Sequence, residues 1–195
     1  MRFFTSDLHY FHENIITFCN RKYGNVDAMN WDIVRTINAH CTSDDTLYIL
    51  GDYAFKVNQE KDAIIRLSEA TKPKRILIEG NHDYKKSSAN FGFAEMSDEA
   101  FVDIKGVVFR LVHYPLADAR TKYDVINRPE SYVHPKINPE TKKIYPILCG
   151  HVHDEFKLRK HCLNVGWDIW KRPLNENEIF QIYEDTNAFT ENLNG

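Results

Sequence analysis

Five times along the 195 residues a short apolar run stops at a polar group of the kind that binds metals. Residues 1–6 lead to Asp7-Leu8-His9, Thr46 to Leu50 to Gly51-Asp52, and Lys74 to Glu79 to Gly80-Asn81-His82-Asp83. Val107 to Val112 ends at His113, and Tyr145 to Cys149 ends at Gly150-His151-Val152-His153. Apolar runs this short, closed by glycine or a polar cluster, read as strands. Helical spacing appears between them. Asn30 to His40 carries Trp31, Val34 and Ile37, and Gln59 to Ala70 carries Ala63, Ile64, Leu67 and Ala70, with Asn58 as its cap. Glu13 to Phe18 forms a short helix, and Glu176 to Tyr183 follows Pro173 with Asn175 as its cap. Strands alternating with helices predict an α/β layered domain, and in such folds residues beyond the carboxyl ends of strands meet along one rim.

The chain is expected to be a single domain over residues 1–195, without internal repeats. Ala117 to Lys143 is polar, punctuated by Pro129, Pro135 and Pro139, and is read as a long loop that either walls the substrate or simply covers the surface. From about residue 187 the chain reads as a frayed tail.

Composition excludes several classes of function. With 43% hydrophobic and 27% charged residues the chain has the make-up of an ordinary globular protein. Its formal net charge is −3 and its basic residues are dispersed, which argues against a nucleic-acid-binding face. The densest basic stretch, Lys157 to His161, alternates as a half-buried strand does. No apolar stretch is long enough to span a membrane, and the first residues lack the pattern of a signal peptide, so a cytoplasmic location is expected. Cys19, Cys41, Cys149 and Cys162 show no C-x-x-C spacing and are read as buried free thiols in a reducing compartment.

With His82 and Asp83 set aside, the motif residues supply two carboxylates, one amide oxygen and four imidazoles. That set suits a pair of Mn, Fe, Zn, Ni or Co ions better than Ca or Mg, with Mn the first expectation. A carboxylate can bridge two such ions. His151 and His153 have the spacing that puts both on one side of a strand. His40 and His161 are read as structural or solvated, His134 as solvated, and Lys85-Lys86 as a solvated loop.

In this order the motifs, from Asp7 to His153, resemble those of the calcineurin-like metallophosphoesterase superfamily. Gly166-Trp167-Asp168-Ile169-Trp170 with Arg172-Pro173-Leu174 also looks like the end of its small bacterial and phage members. The resemblance implies a four-layer α-β-β-α fold, two packed β-sheets flanked by helices. It implies Asp7, His9 and His153 on one metal, Asn81, His113 and His151 on the other, and Asp52 bridging both. His82, directly after Asn81, is then the candidate to protonate the leaving oxygen, Asp83 to orient the His82 ring, and His12 to contact the phosphate. The implied activity is hydrolysis of a small phosphodiester or phosphomonoester, nucleotide-like substrates included, by attack of a hydroxide shared by two metals. Arg120, Lys122, Tyr123 and Arg128 either grip that substrate or belong to the surface loop. The competing readings are a protein-binding scaffold, which would tend to lose ligands, and a nuclease, which would want a basic track or an added DNA-binding domain.

Overall fold

Side chains on a strand point alternately to its two faces, so each central strand can serve two cores. That alternation sets the layers in the computed structural model, which describes residues 1–83, 91–116 and 133–186. In β1 (Arg2–Thr5) Phe3 enters one hydrophobic cluster and Phe4 another. In β2 (Thr46–Ile49) Leu47 and Ile49 join the first, and in β3 (Lys74–Ile78) Leu77 faces the first and Ile78 the second. These strands are parallel neighbours, extended by β4 (Glu95–Ser97) on the β3 side.

The second sheet runs β5 (Glu99–Ile104), β6 (Val107–Val112), β7 (Ile147–Cys149), β9 (Cys162–Asn164) and β8 (Leu158–Arg159). Its pairs β6–β7 and β7–β9 are parallel and its outer pairs antiparallel. Phe109, Leu111, Leu148 and Leu163 point inward and meet Phe4, Leu50 and Ile78 of the first sheet. This shared layer is the inter-sheet core. Full burial of a ring or branched side chain there contributes about 1.5–3 kcal/mol.

Helices cover the outer face of the first sheet. They are α1 (Glu13–Phe18), α2 (Val26–His40) and α3 (Lys61–Ala70), which bury Ile15, Met29, Ile33, Ile37, Ile64 and Leu67. The single turn α4 (Trp167–Trp170) buries Trp167 in that layer. The short strand β10 (Leu174–Asn175) then pairs with β1, and α5 (Glu176–Asp185) sets Ile179 into the inter-sheet core. Beneath the outer face of the second sheet Val112, Leu116, Ile147, Val152, Phe156 and Cys162 form a smaller cluster. The fold is therefore two packed mixed sheets flanked by helices, as the resemblance implied.

Several local expectations shift. The second helix starts at Val26, four residues early, because Asn25 caps it by accepting from the Ala28 N–H at 2.8 Å. The third starts at Lys61 with Glu60 at its cap position, and Asn58 lies in the turn before it, so Asn58 is not the cap. Asn175 does cap the last helix, in a capping box with Glu178. Only Leu158 and Arg159 of the Lys157–His161 stretch are strand, since Lys160 turns the chain at φ 52°. Cys41, Cys149 and Cys162 are buried free thiols, but Cys19 is only half-buried. No helix among the described residues is long and apolar enough to cross a membrane. Lys85, Lys86, Arg120, Lys122, Tyr123, Arg128 and the tail from residue 187 lie outside the described residues.

Candidate metal centre

Register delivers the motif residues to one edge. Thr5 pairs with Ile49 and Ile49 with Leu77, so β1, β2 and β3 finish level, and Asp7, Asp52 and Asn81 follow just beyond. In the second sheet Leu111 pairs with Leu148, which carries His113 and His151 past the same edge. The loops that follow are unusual. Asp7, His9, Asp52, His151 and His153 all take positive φ, from 47° to 71°. Asp, Asn and His are the non-glycine types best tolerated there, and strain of this kind persists where the surroundings over-determine it. Glycine gives the room. A Cβ on Gly51, itself at φ +88°, would meet the His113 ring, and one on Gly80 would lie 2.5 Å from Asp52 Oδ1.

All seven expected ligands converge. Asp52 Oδ2 lies 3.5 Å from His9 Nε2 and 3.6 Å from His113 Nε2, between the two sheets' contributions. Ligand atoms of Asp7, His9 and His153 come within 4.8 Å of one another, and so do those of Asp7, Asp52 and His113. Asn81 Oδ1 is 3.2 Å from His113 Nε2, and the His151 ring centre is 5.1 Å from that of His113. A backbone carbonyl only accepts, so the 2.8 Å contact with Leu50 O fixes the proton of His113 on Nδ1 and turns Nε2 to the cluster. His9 Nε2 is buried with no hydrogen-bond partner while facing two carboxylates. An orphaned imidazole nitrogen among carboxylate and amide oxygens fits a borderline divalent cation.

The electrostatics point the same way. Burial, then the charges of Asp7 and Asp83, push the Asp52 carboxyl well above its usual range. Burial, then His153 and Arg21, hold His9 well below the ordinary histidine value. A cation here would favour charged carboxylates beside neutral imidazoles, the ligand form of each.

A supporting set escaped the sequence reading. Arg21, buried to 4% exposure, donates to both carboxylate oxygens of Asp168 at 2.8 Å and to the carbonyls of Asp7 and Leu8 at 2.7 and 2.9 Å. Asp168 Oδ2 in turn lies 2.9 Å from His153 Nδ1. Burial alone would lower the His153 pKa, but the bonds with Asp168 and Cys19 and the charge of Asp7 outweigh it and lift it to about 11. Burial would raise Asp168, yet His153 and Arg21 hold it well below the carboxylate range. Cys19, His153 and Asp168 also cluster closely enough to suggest a cation site of their own. Both Asp168 oxygens are already taken by Arg21, so Asp168 orients His153 instead. Asn164 Nδ2 fixes the histidine turn by donating to His153 O at 2.7 Å and Phe156 O at 3.0 Å. Asp168 stood in the Gly166–Trp170 stretch that the sequence singled out, but its partner Arg21 lies 147 residues away and carries no local signal.

One expectation needs correcting. His151 and His153 do not share a strand face, since both sit in left-handed turns past β7. Asp83 accepts from the backbone N–H groups of Asp52 (2.7 Å), Gly80 (2.9 Å) and Tyr53 (3.0 Å). These bonds tie the Asp52 and Gly80 turns together. The His82 ring stands 5.4 Å from that of His9, and its backbone N–H donates to Asp52 Oδ1 at 2.9 Å. The His12 ring stacks on Phe55 at 4.3 Å, with Nδ1 3.4 Å from that of His9. Burial, then Arg21 and His153, lower the His12 pKa to about 4, so it is neutral near pH 7.

No protein-family model matches the chain. It is 33% identical over 147 residues to the uncharacterized protein MJ1445 of Methanocaldococcus jannaschii, a match covering 71% of this chain and 76% of that one. The structure of AQ665 from Aquifex aeolicus, a protein of unknown function, superposes with a TM-score of 0.68 at 26% identity, covering 93% of this chain and 98% of the other. A fainter likeness, TM-score 0.47 at 20% identity, is to the nuclease MPE of Pseudomonas putida, over 78% of this chain and 61% of that one. Two packed sheets with the motif residues along one rim are the arrangement that the metallophosphoesterase resemblance implied, and by identity and coverage the chain belongs to the same family as the M. jannaschii protein.

Proposed function

We propose that this chain is a metal-dependent phosphoesterase that hydrolyses a P–O bond of a phosphodiester or phosphomonoester with water. The observation that carries the reading is the position of Asp52 Oδ2, 3.5 Å from an imidazole nitrogen of one sheet and 3.6 Å from one of the other. A carboxylate so placed suits a bridge between two cations. Asp7, His9 and His153 would hold one, and Asn81, His113 and His151 the other. Two divalent cations there would supply Lewis acidity to the phosphoryl group and acidify a water.

The chain's own residues supply the rest. His9, held neutral by burial, keeps a lone pair available to a cation. His82 faces the cavity beside the cluster and is the group proposed to protonate the leaving oxygen. His12, neutral and stacked on Phe55, can donate one hydrogen bond to a phosphoryl oxygen without adding charge. Asp83 keeps the Asp52 and Gly80 turns in register through its three backbone bonds.

The test is hydrolysis of bis(p-nitrophenyl) phosphate and p-nitrophenyl phosphate with added Mn²⁺, using Asp52→Asn protein as the blank. Turnover by wild type and its loss in the blank support the reading, and near-normal activity in the blank sinks the bridge. His82→Ala should lower turnover with metal still bound; loss of metal instead would make His82 a ligand or a structural support.

A further inference from the structure

Beside the cluster the cavity, about 570 Å³, passes onto a wall of different character. Ile15, Phe18, Phe55 and Val152 give it apolar surface, and Asp154 and Glu155 put two exposed carboxylates at its edge. Phe55 is covered, with His12 stacked on it and the His82 ring meeting it edge-on at 5.4 Å. Phe18 is not. This last residue of α1 is 73% exposed, and its aromatic neighbour among the described residues is His12, edge-on at 6.3 Å. A phenyl ring held open against a cavity offers a stacking face, and flat rings are what cover such faces best.

The charge pattern narrows the occupant. Among the described residues lining the cavity there is no lysine or arginine. Nucleic-acid strands and polyphosphates need a basic groove beyond the first phosphate, whereas the two carboxylates here would repel a second one. Carboxylates do accept hydrogen bonds from hydroxyl and amino groups. The volume lies in the range of small-molecule sites, roughly 300–1,000 Å³. We infer that the organic part of the substrate is a nucleoside: one phosphate at the cluster, the base against Phe18, and the sugar hydroxyls towards Asp154 and Glu155. The position of the phosphate rests on the phosphoesterase reading above.

Binding tests the subsite apart from turnover. Mn²⁺-loaded protein is titrated calorimetrically with a nucleoside 5′-monophosphate and with methyl phosphate. The nucleotide should bind roughly 5- to 100-fold more tightly, the range a stacked base contributes. Phe18→Ala should remove most of that advantage and leave methyl phosphate within about twofold. Equal affinities in wild type, or an advantage that survives the substitution, would overturn the base position. Markedly tighter binding of an oligonucleotide or a nucleoside triphosphate would overturn the single-phosphate claim. Kinetics then compare the p-nitrophenyl ester of thymidine 5′-phosphate with methyl p-nitrophenyl phosphate, and Phe18→Ala should raise KM for the first alone. Nucleotide binding without turnover of any ester leaves the subsite standing and removes the phosphoesterase reading. Turnover without nucleotide preference does the reverse.

Discussion

The Arg21 guanidinium meets four oxygens, two from the Asp168 carboxylate and two from the carbonyls that bracket the Asp7 turn. One buried cation thus fixes both a loop of the first sheet and, through Asp168, the imidazole of His153. Asp168→Asn keeps the shape but removes the charge that Arg21 and His153 share. Outer partners of this kind are typically worth 10- to 100-fold in metal affinity, so Mn²⁺ titration of this variant should show a loss of about that size. Unchanged affinity would reduce the Arg21–Asp168 pair to a packing device. Gly51→Ala acts on the opposite side of the cluster. Its backbone at φ +88° would be strained by about 1–3 kcal/mol, and its new methyl would displace the His113 ring. Denaturant unfolding should show that loss, and bound Mn²⁺ should fall with it.

At the scale of elements, the last helix shows how a cap and a charge combine. Asn175 accepts from the backbone of Asn177 and Glu178, while the Glu178 carboxylate accepts from the Asn175 N–H and from Arg172. Asn175→Ala should cost about 1 kcal/mol of stability. The bond from Arg172, the largest influence, lowers the Glu178 pKa below its unfolded value near 4.3. The stabilisation is therefore present above about pH 4.3 and is lost as pH falls through the lowered folded value. Glu178→Gln should flatten the acid limb of the stability curve measured by thermal melting, and an unchanged limb would remove Glu178 from the acid response. This cap was readable because Asn175 stands directly before an amphipathic run. The five motif-bearing strands were readable for a similar reason, since each is apolar and stops at a polar group. The strand β4 was not, being short, partly exposed and held mainly by its neighbour. Nor was the left-handed backbone at His151 and His153, which is held by contacts with Asp7, 144 residues from His151, and with Asn164, 11 residues from His153.

Across the whole molecule the cluster lies on the seam between sheets. Asp7, His9, Asp52 and Asn81 follow strands of the first, and His113, His151 and His153 follow strands of the second. Motif order alone indicated which residues would meet, whereas the clamp from Arg21 required the fold. Cations bound across such a seam stabilise the native state by linkage, about 2.7 kcal/mol at a free concentration 100 times Kd. For a domain of this length that corresponds to roughly 5–10 °C in Tm. Adding Mn²⁺ should produce a rise of that order and a chelator should reverse it; a Tm indifferent to both would separate the cluster from the stability of the fold.

On the proposed reading the same seam sets activity against durability. Asp52 is a buried carboxylate in left-handed backbone beside Asp7 and Asp83, and it faces the orphaned nitrogen of His9. Asparagine tolerates that backbone, keeps an oxygen for the His82 N–H, removes one like charge and offers His9 a donor. Without metal, Asp52→Asn should therefore melt above wild type, while losing the gain that wild type draws from Mn²⁺. A lower melting point in chelator would mean that the carboxylates hold the seam without help. A higher one would make the variant the sturdier protein, so that, on the phosphoesterase reading proposed above, relaxed selection would erode the chemistry before the fold.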